Sequence, residues 1–90
     1  MNSRKIKLAL TVGLMNAEAS NNAIHFVKEV MQGFQEVGAF LGLALKDKAE
    51  LNTNHIRQTY AVQFENCTVN LDLVSNPHTH YQYVQGFQLN

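Results

Sequence analysis

The sequence predicts a single α+β domain over residues 1–90, a mostly antiparallel sheet of about four strands with one long or broken amphipathic helix packed on one face. Two patterns favour this class. Apolar residues recur every three or four positions between residues 16 and 37, whereas they alternate with polar or small residues before residue 15 and after residue 58. The predicted order of elements is therefore β-α-(α or β)-β-β-β.

The first predicted element is a half-buried strand near the start of the chain. Every second residue there is apolar, and the intervening residues are polar or small. The apolar positions are Ile6, Leu8, Leu10, Val12 and Leu14. Five alternating positions in succession are typical of a strand with one face towards a core.

A cleaved secretory signal is the alternative interpretation of the same region. Basic residues at positions 4 to 7 precede an apolar stretch at 8–15, and Ala17-Glu18-Ala19 has the A-x-A form of a cleavage site. The apolar stretch is short and is interrupted by Thr11 and Gly13. We therefore favour a retained strand and a cytoplasmic protein, the alternative being a protein exported after cleavage at Ala19.

An amphipathic helix is predicted next, ending near Val37. Asn16 or Ser20 can cap its first turn, because either side chain can accept a hydrogen bond from a backbone N–H two or three residues later. The apolar stripe consists of Ala23, Ile24, Val27, Val30, Met31, Phe34 and Val37, with Phe26 at its edge. Gly38 is suited to the left-handed residue that ends a helix.

Residues 39–45 are apolar on all sides, so periodicity does not assign them. Leu41 and Leu45 continue the helical stripe, but Leu43 completes an alternating pattern with both. We favour a second helical piece after a break near Gly38 or Gly42, with a strand as the alternative. A polar connector is predicted from Asp47 to Asn54.

The C-terminal third alternates with period two, which predicts three strands. Glu65-Asn66 is suited to a two-residue hairpin loop, with Asn66 at positive φ. Ser75-Asn76-Pro77 predicts the next turn. The last strand is predicted at His80–Leu89, with Tyr81, Tyr83 and Phe87 on one face and Gly86 as a candidate bulge.

Charge argues against nucleic acid as a partner. The chain has seven basic and seven acidic residues, and no Lys or Arg occurs from Gln58 onwards. The sheet aromatics Tyr60, Tyr81, Tyr83 and Phe87 therefore lack the cations that a phosphate backbone requires. No apolar run reaches the roughly 18 residues of a membrane-spanning helix, so no membrane partner is expected either.

No catalytic, metal or cofactor site is predicted. His78 and His80 would share a face on a strand and could bind a metal with His55 or Cys67, but we favour an exposed turn for them. Cys67 lies neither at a helix start nor beside a cation, the usual ways of activating a thiol, and is expected in the core. A small-ligand or metal-binding protein using His78 and His80 is the alternative function.

Association is the function that the sequence favours. The polar surface is built largely from amides, with ten Asn and seven Gln, and the last strand lacks the Lys and Pro that protect an exposed sheet edge. The predicted interaction residues are Phe40, Leu41, Leu43, Leu45, Tyr81, Tyr83 and Phe87. We expect a small non-enzymatic module that forms a homodimer and masks an unidentified protein, as inhibitors and accessory factors of viruses or mobile elements do.

Overall fold

Two helices precede a four-stranded antiparallel sheet in the computed structural model, which describes residues 3–16 and 23–90. The helices are α1 (Ser3–Asn16) and α2 (Ala23–Gln32), and a 3₁₀ turn follows at Gln35–Val37. The strands are β1 (Phe40–Asn52), β2 (His55–Phe64), β3 (Thr68–Asn76) and β4 (Tyr81–Leu89). They lie side by side in chain order. The predicted α+β class is confirmed, but the order of elements is α-α-β-β-β-β.

The first predicted strand is wrong, because residues 3–16 form α1. Ile6, Leu10 and Leu14 are spaced by four and make the buried stripe of this helix, whereas Leu8 is 63% exposed. An alternating run of apolar residues also contains every fourth residue, so it fits one face of a helix as well as one face of a strand. The Thr11 hydroxyl donates to the Lys7 carbonyl at 2.8 Å, a contact across one helical turn.

The predicted amphipathic helix is confirmed over a shorter range, as α2. Ala23, Val27 and Met31 form its buried stripe. The proposed cap Asn16 is instead the last residue of α1. Ser20 and the Ala17-Glu18-Ala19 motif lie outside the described residues.

The two helices pack closely at Gly13 of α1. The Phe26 ring of α2 occupies the space that a side chain at this position would need. Phe26 is partly buried against the core, which explains its position at the edge of the predicted stripe. The glycine that interrupts the apolar run therefore serves the contact between helices.

The favoured helical piece over residues 39–45 is wrong, and the alternative, a strand, is right from Phe40, where the long strand β1 begins. The predicted polar connector is also wrong up to residue 52, because the strand continues through Asp47 and turns only at Thr53-Asn54. Pairing with β2 supplies the backbone hydrogen bonds of these residues, so their mixed pattern does not prevent a strand. Three bulges, at Leu41, Lys46 and Leu51, interrupt the pairing and blur the alternation.

The segment that leads into β1 is held by the β2–β3 hairpin. Gly38 has the predicted positive φ, 82°, but its ψ of −169° is not that of a left-handed helical residue. A Cβ there would lie 2.7 Å from Glu65 Cβ. The Asn66 side-chain amide donates to the Glu36 carbonyl at 2.8 Å. The Asn66 backbone N–H donates to the Val37 carbonyl at 3.0 Å. These contacts fix where β1 leaves the helical layer.

The predicted Glu65-Asn66 hairpin loop is confirmed, with Phe64 N–H donating to the Cys67 carbonyl at 2.9 Å. The expected positive φ at Asn66 is wrong, since among the described non-glycine residues only His80 has one. Asn66 is instead held by its hydrogen bonds to the carbonyls of Glu36 and Val37 in the preceding segment.

The last predicted strand is confirmed as β4 from Tyr81 onwards, and its bulge lies next to Gly86, the predicted position. Leu73 pairs with Val84, whereas Asp72 pairs with Gly86, so Gln85 is the extra residue. An extra residue shifts the alternation by one. Phe87 therefore faces the helices, and the prediction that it shares a face with Tyr81 and Tyr83 is wrong.

The core lies between one face of the sheet and the two helices. Its sheet side is built from β2 and β3, with α2 against β2 and α1 towards β4. The principal buried side chains are Ile6, Leu10, Val27, Met31, Val62, Val69, Leu71 and Leu73. The opposite face of the sheet carries no described helix, and β1 extends beyond the helical layer.

Candidate protein-interaction surface

Four apolar side chains of β1 form an exposed surface that we call the β1 patch, consisting of Phe40, Leu41, Leu43 and Leu45. Their exposed fractions range from 37% to 64%. Leu43 pairs with the buried Val62, and Leu45 pairs with Tyr60, which packs against the core. Both leucines thus lie on the side of the sheet that the helices cover elsewhere, and both remain about half exposed.

The aromatic residue of the β1 patch is held from both sides. The Phe40 ring packs edge-on against Phe64, with 5.7 Å between ring centroids. The Lys28 ammonium of α2 lies 4.5 Å from the centre of the Phe40 ring. A cation at this distance is attracted by the ring face. Where the β1 patch borders α2, the positive charge of Lys28 therefore lies over the packed Phe40 ring.

Charged residues follow the β1 patch along the same strand. Lys46, Asp47 and Lys48 occupy consecutive positions, and the Asp47 carboxylate lies 3.6 Å from the Arg57 guanidinium on β2. That pair is largely exposed, so it adds little to stability. The strand thus has an uncharged half from residue 40 to 45 and a charged half from residue 46 to 50.

The structure separates the predicted interaction residues into three places. Tyr81 and Tyr83 are exposed at the other edge of the sheet, with 6.3 Å between their ring centroids. They pair with Asn76 and Val74, which places them on the face opposite the helices. Phe87 is half-buried and packs against the core. Phe40, Leu43 and Leu45 are the part of the predicted set that shares one face of the sheet, and Leu41 lies at the bulge between Phe40 and Gly42.

The histidines and the cysteine of the alternative metal site are not brought together. His78 and His80 lie exposed in the β3–β4 turn, where Asn76 Oδ1 accepts from the His78 N–H at 2.9 Å. His55 begins β2 at the same end of the sheet, and Cys67 lies at the opposite end. Within residues 3–16 and 23–90, no three His, Cys, Asp or Glu side chains are close enough to hold a metal ion.

Cys67 is buried in the core, as predicted. Burial raises the pKa of its thiol, because the thiolate would lose its hydration. A thiol in this environment stays neutral and packs as a small apolar group.

A shallow depression of about 450 Å³ opens between α1 and the end of β4. The lining residues are Lys7, Thr11, Phe87, Gln88, Leu89 and Asn90. The sequence does not predict this depression, because its apolar alternation up to Leu14 indicates a strand. Recognition of the helical spacing of Ile6, Leu10 and Leu14 would have placed Lys7 and Thr11 on one side of a helix, but not beside β4.

Comparison of the chain with protein-family models, with curated proteins and with solved structures finds no match. In the part of the chain that the structure describes, neither helix is long and apolar enough to cross a bilayer.

Proposed function

We propose that this protein is a small non-enzymatic protein-interaction module that self-associates through the β1 patch. The observation that carries the proposal is an uncovered row of large apolar side chains on an edge strand. Contiguous apolar surface of this kind is unusual on a monomeric protein and marks sites of association. Phe40, Leu43 and Leu45 extend the core beyond the helices, so a second molecule would complete it.

The backbone of β1 supports the same proposal. As the first strand in a four-stranded sheet, it has one side that pairs with no other strand among residues 3–16 and 23–90, and an edge of this kind is a template for pairing with another chain. Its bulges and its lysines protect the edge near Leu41 and from Lys46 onwards. The stretch from Gly42 to Leu45 has no such protection, and it is the apolar part.

Self-association through β1 would leave the other edge of each sheet free for a different macromolecule. That edge carries the exposed pair Tyr81 and Tyr83 on a strand without Lys or Pro. Tyrosine contributes large contact area at small entropic cost and is common at protein interfaces. We propose that the protein masks another protein there, in the manner of an inhibitor or accessory factor.

The test is the oligomeric state of a variant that carries both Leu41→Asp and Leu43→Asp. We expect the unaltered protein to show a concentration-dependent dimer in sedimentation velocity over about a hundredfold range of concentration. The variant should sediment as a monomer and retain the circular dichroism of a folded protein, because neither leucine lies in the core.

Leu8→Asp on α1 is the matched control. Leu8 is as exposed as Leu41, but it lies on the helix nearest β4. This variant should dimerise like the unaltered protein. A chain that remains monomeric at every concentration, or a double variant that still dimerises, would contradict the proposal.

A further inference from the structure

We propose that two copies of the chain pair β1 with β1 about a two-fold axis at Ala44, which joins the sheets into one of eight antiparallel strands. This inference rests on the proposed self-association and adds its register. A two-fold axis through an antiparallel strand pair passes between a residue and its own copy. The register is therefore defined by the one residue that lies opposite itself.

The bulges of β1 limit the residues that can occupy the axis. Pairing with β2 shifts between Phe40 and Gly42 and again between Leu45 and Asp47. A third shift lies between Glu50 and Asn52, so regular ladders run from Gly42 to Leu45 and from Asp47 to Glu50, since a bulge disrupts the hydrogen bonding of the strand that contains it. The apolar ladder, Gly42 to Leu45, has four candidate axes, one at each residue.

Leucine contacts distinguish the four positions. With Ala44 on the axis, Leu43 of each copy lies opposite Leu45 of the other, and all four leucines are on the helix side of the joined sheet. With Leu43 on the axis, Leu45 lies opposite the bulged Leu41. With Leu45 on the axis, Leu43 lies opposite Asp47. Directly opposed apolar side chains are the contacts that stabilise a strand pair, which favours Ala44.

With Gly42 on the axis, the leucine contacts are poorer still. Leu43 would lie opposite the bulged Leu41, and Leu45 opposite Ala39, which precedes the strand. This register therefore pairs neither leucine with another on the regular ladder.

Charge favours the Ala44 register as well. It places Lys46 opposite Gly42, Asp47 opposite Leu41 and Lys48 opposite Phe40. None of these charges opposes a like charge. An axis at Asp47, Lys48 or Glu50 would set a charge against its own copy, and an axis at Ala49 would pair Lys48 with Glu50 but bring no leucine of the β1 patch opposite another. Like charges directly opposite each other destabilise a strand pair. The net charge of zero adds no general repulsion between two copies.

The helices of the two copies would enclose the leucines. Three strand spacings, about 14 Å, would separate the two β2 strands, and α2 lies against β2 in each copy. An α-helix with its side chains is about 10–12 Å across, so only a narrow groove remains between the two α2 helices. Leu43 and Leu45 of both copies form its floor, where the flanking helices exclude water.

Disulfide formation by Ala44→Cys tests the register. Directly opposite residues in an antiparallel pair have Cα atoms about 4.5–5.5 Å apart, within the range that a disulfide bridges. Two thiols of neighbouring copies would lose two protons and two electrons to added oxidised glutathione. Cys67 is buried and does not compete. We expect most of the protein to become a covalent dimer, measured by non-reducing electrophoresis and intact mass.

Gly42→Cys is the control on the same strand and the same face. No atom lies within 4 Å of a Cβ at Gly42, so the substitution fits. With the axis at Ala44, the two copies of position 42 lie about 14 Å apart along the strands, too far for a disulfide. We expect this variant to remain non-covalent under the same oxidation.

The outcomes separate the register from self-association. A dimer in sedimentation velocity that crosslinks at neither position, equally at both, or only at Gly42 would overturn the Ala44 register and leave self-association standing. A reduced Ala44→Cys protein that stays monomeric while the unaltered chain dimerises would also overturn it. An unaltered chain that is monomeric throughout would overturn both proposals.

Discussion

The two edges of the sheet carry similar apolar residues and have opposite environments. On β4, Val84, Phe87 and Leu89 pack against the core on the side of α1. On β1, Leu43 and Leu45 occupy the same side of the sheet and are about half exposed. The helical layer is displaced towards β4, so the position of the helices decides which edge becomes core and which becomes surface.

The positions of the β-bulges also distinguish the two edge strands. The extra residue at Gln85 turns Phe87 of β4 inward, whereas the bulges of β1 isolate a short regular stretch from Gly42 to Leu45. A local irregularity of one residue therefore decides which side chains an edge strand offers to solvent. The following predictions test this contrast between a covered and an uncovered edge.

The largest effect is expected from Leu10→Ala, which removes a fully buried side chain from the helix nearest β4. Loss of a buried leucine creates a cavity and should lower the free energy of unfolding by about 2–5 kcal/mol. Leu8→Ala should change it by less than about 0.5 kcal/mol, because Leu8 is exposed on the helix. Urea unfolding of both variants measures the difference. Equal losses would indicate that both residues face the core, as they would on a strand.

Gly38→Ala should have the next largest effect, because it disturbs the entry into β1. A side chain there meets Glu65 and requires an unfavourable positive φ, so the unfolding free energy should fall by about 2–3 kcal/mol. Gly42→Ala on the strand itself has open space and should be neutral or slightly stabilising. Thermal unfolding of the two variants compares them. A neutral Gly38→Ala would show that the hairpin does not fix the path into β1.

Phe87→Ala tests whether the bulge turns this ring into the core. Since Phe87 is half-buried, we expect a loss of about 2 kcal/mol, below the range for fully buried phenylalanines. Tyr83→Ala removes an exposed ring from the opposite face and should cost about 1 kcal/mol or less. Chemical denaturation distinguishes the two. The reverse order would place Phe87 on the open face with the tyrosines.

The smallest effect concerns Cys67, beneath the covered part of the sheet. Because burial raises the pKa of its thiol, the unfolded chain loses the proton first as the pH rises. The contribution of the buried neutral thiol to the free energy of unfolding is therefore fully present below the ordinary thiol pKa. It is lost as the pH rises through the raised pKa. Urea midpoints at neutral and alkaline pH should decline more for the unaltered protein than for Cys67→Ala, with tyrosine ionisation common to both. Identical declines would indicate a solvated thiol.

Parts of the candidate surface were predictable from sequence and parts were not. The apolar character of Phe40, Leu41, Leu43 and Leu45 is visible in the sequence, and so is the excess of apolar residues before the polar half of β1. Their exposure is not, because it depends on the displacement of α1 and α2 towards the other edge. Phe87 shows the same limit. The sequence predicts a bulge at Gly86, but the face predicted for Phe87 does not include the one-residue shift that the extra residue introduces.

The sequence by itself determined the elements whose local pattern has one solution. These are the helix with its stripe at three and four residues, the period-two strands after residue 55, the Glu65-Asn66 loop and the positive φ of Gly38. Only the tertiary structure decided the rest. The spacing of Ile6, Leu10 and Leu14 fits a helix and a strand equally, and residues 39–45 fit both as well. Packing against α2 selected a helix in the first case, and pairing with β2 selected a strand in the second, because burial and backbone hydrogen bonds come from residues distant in the chain.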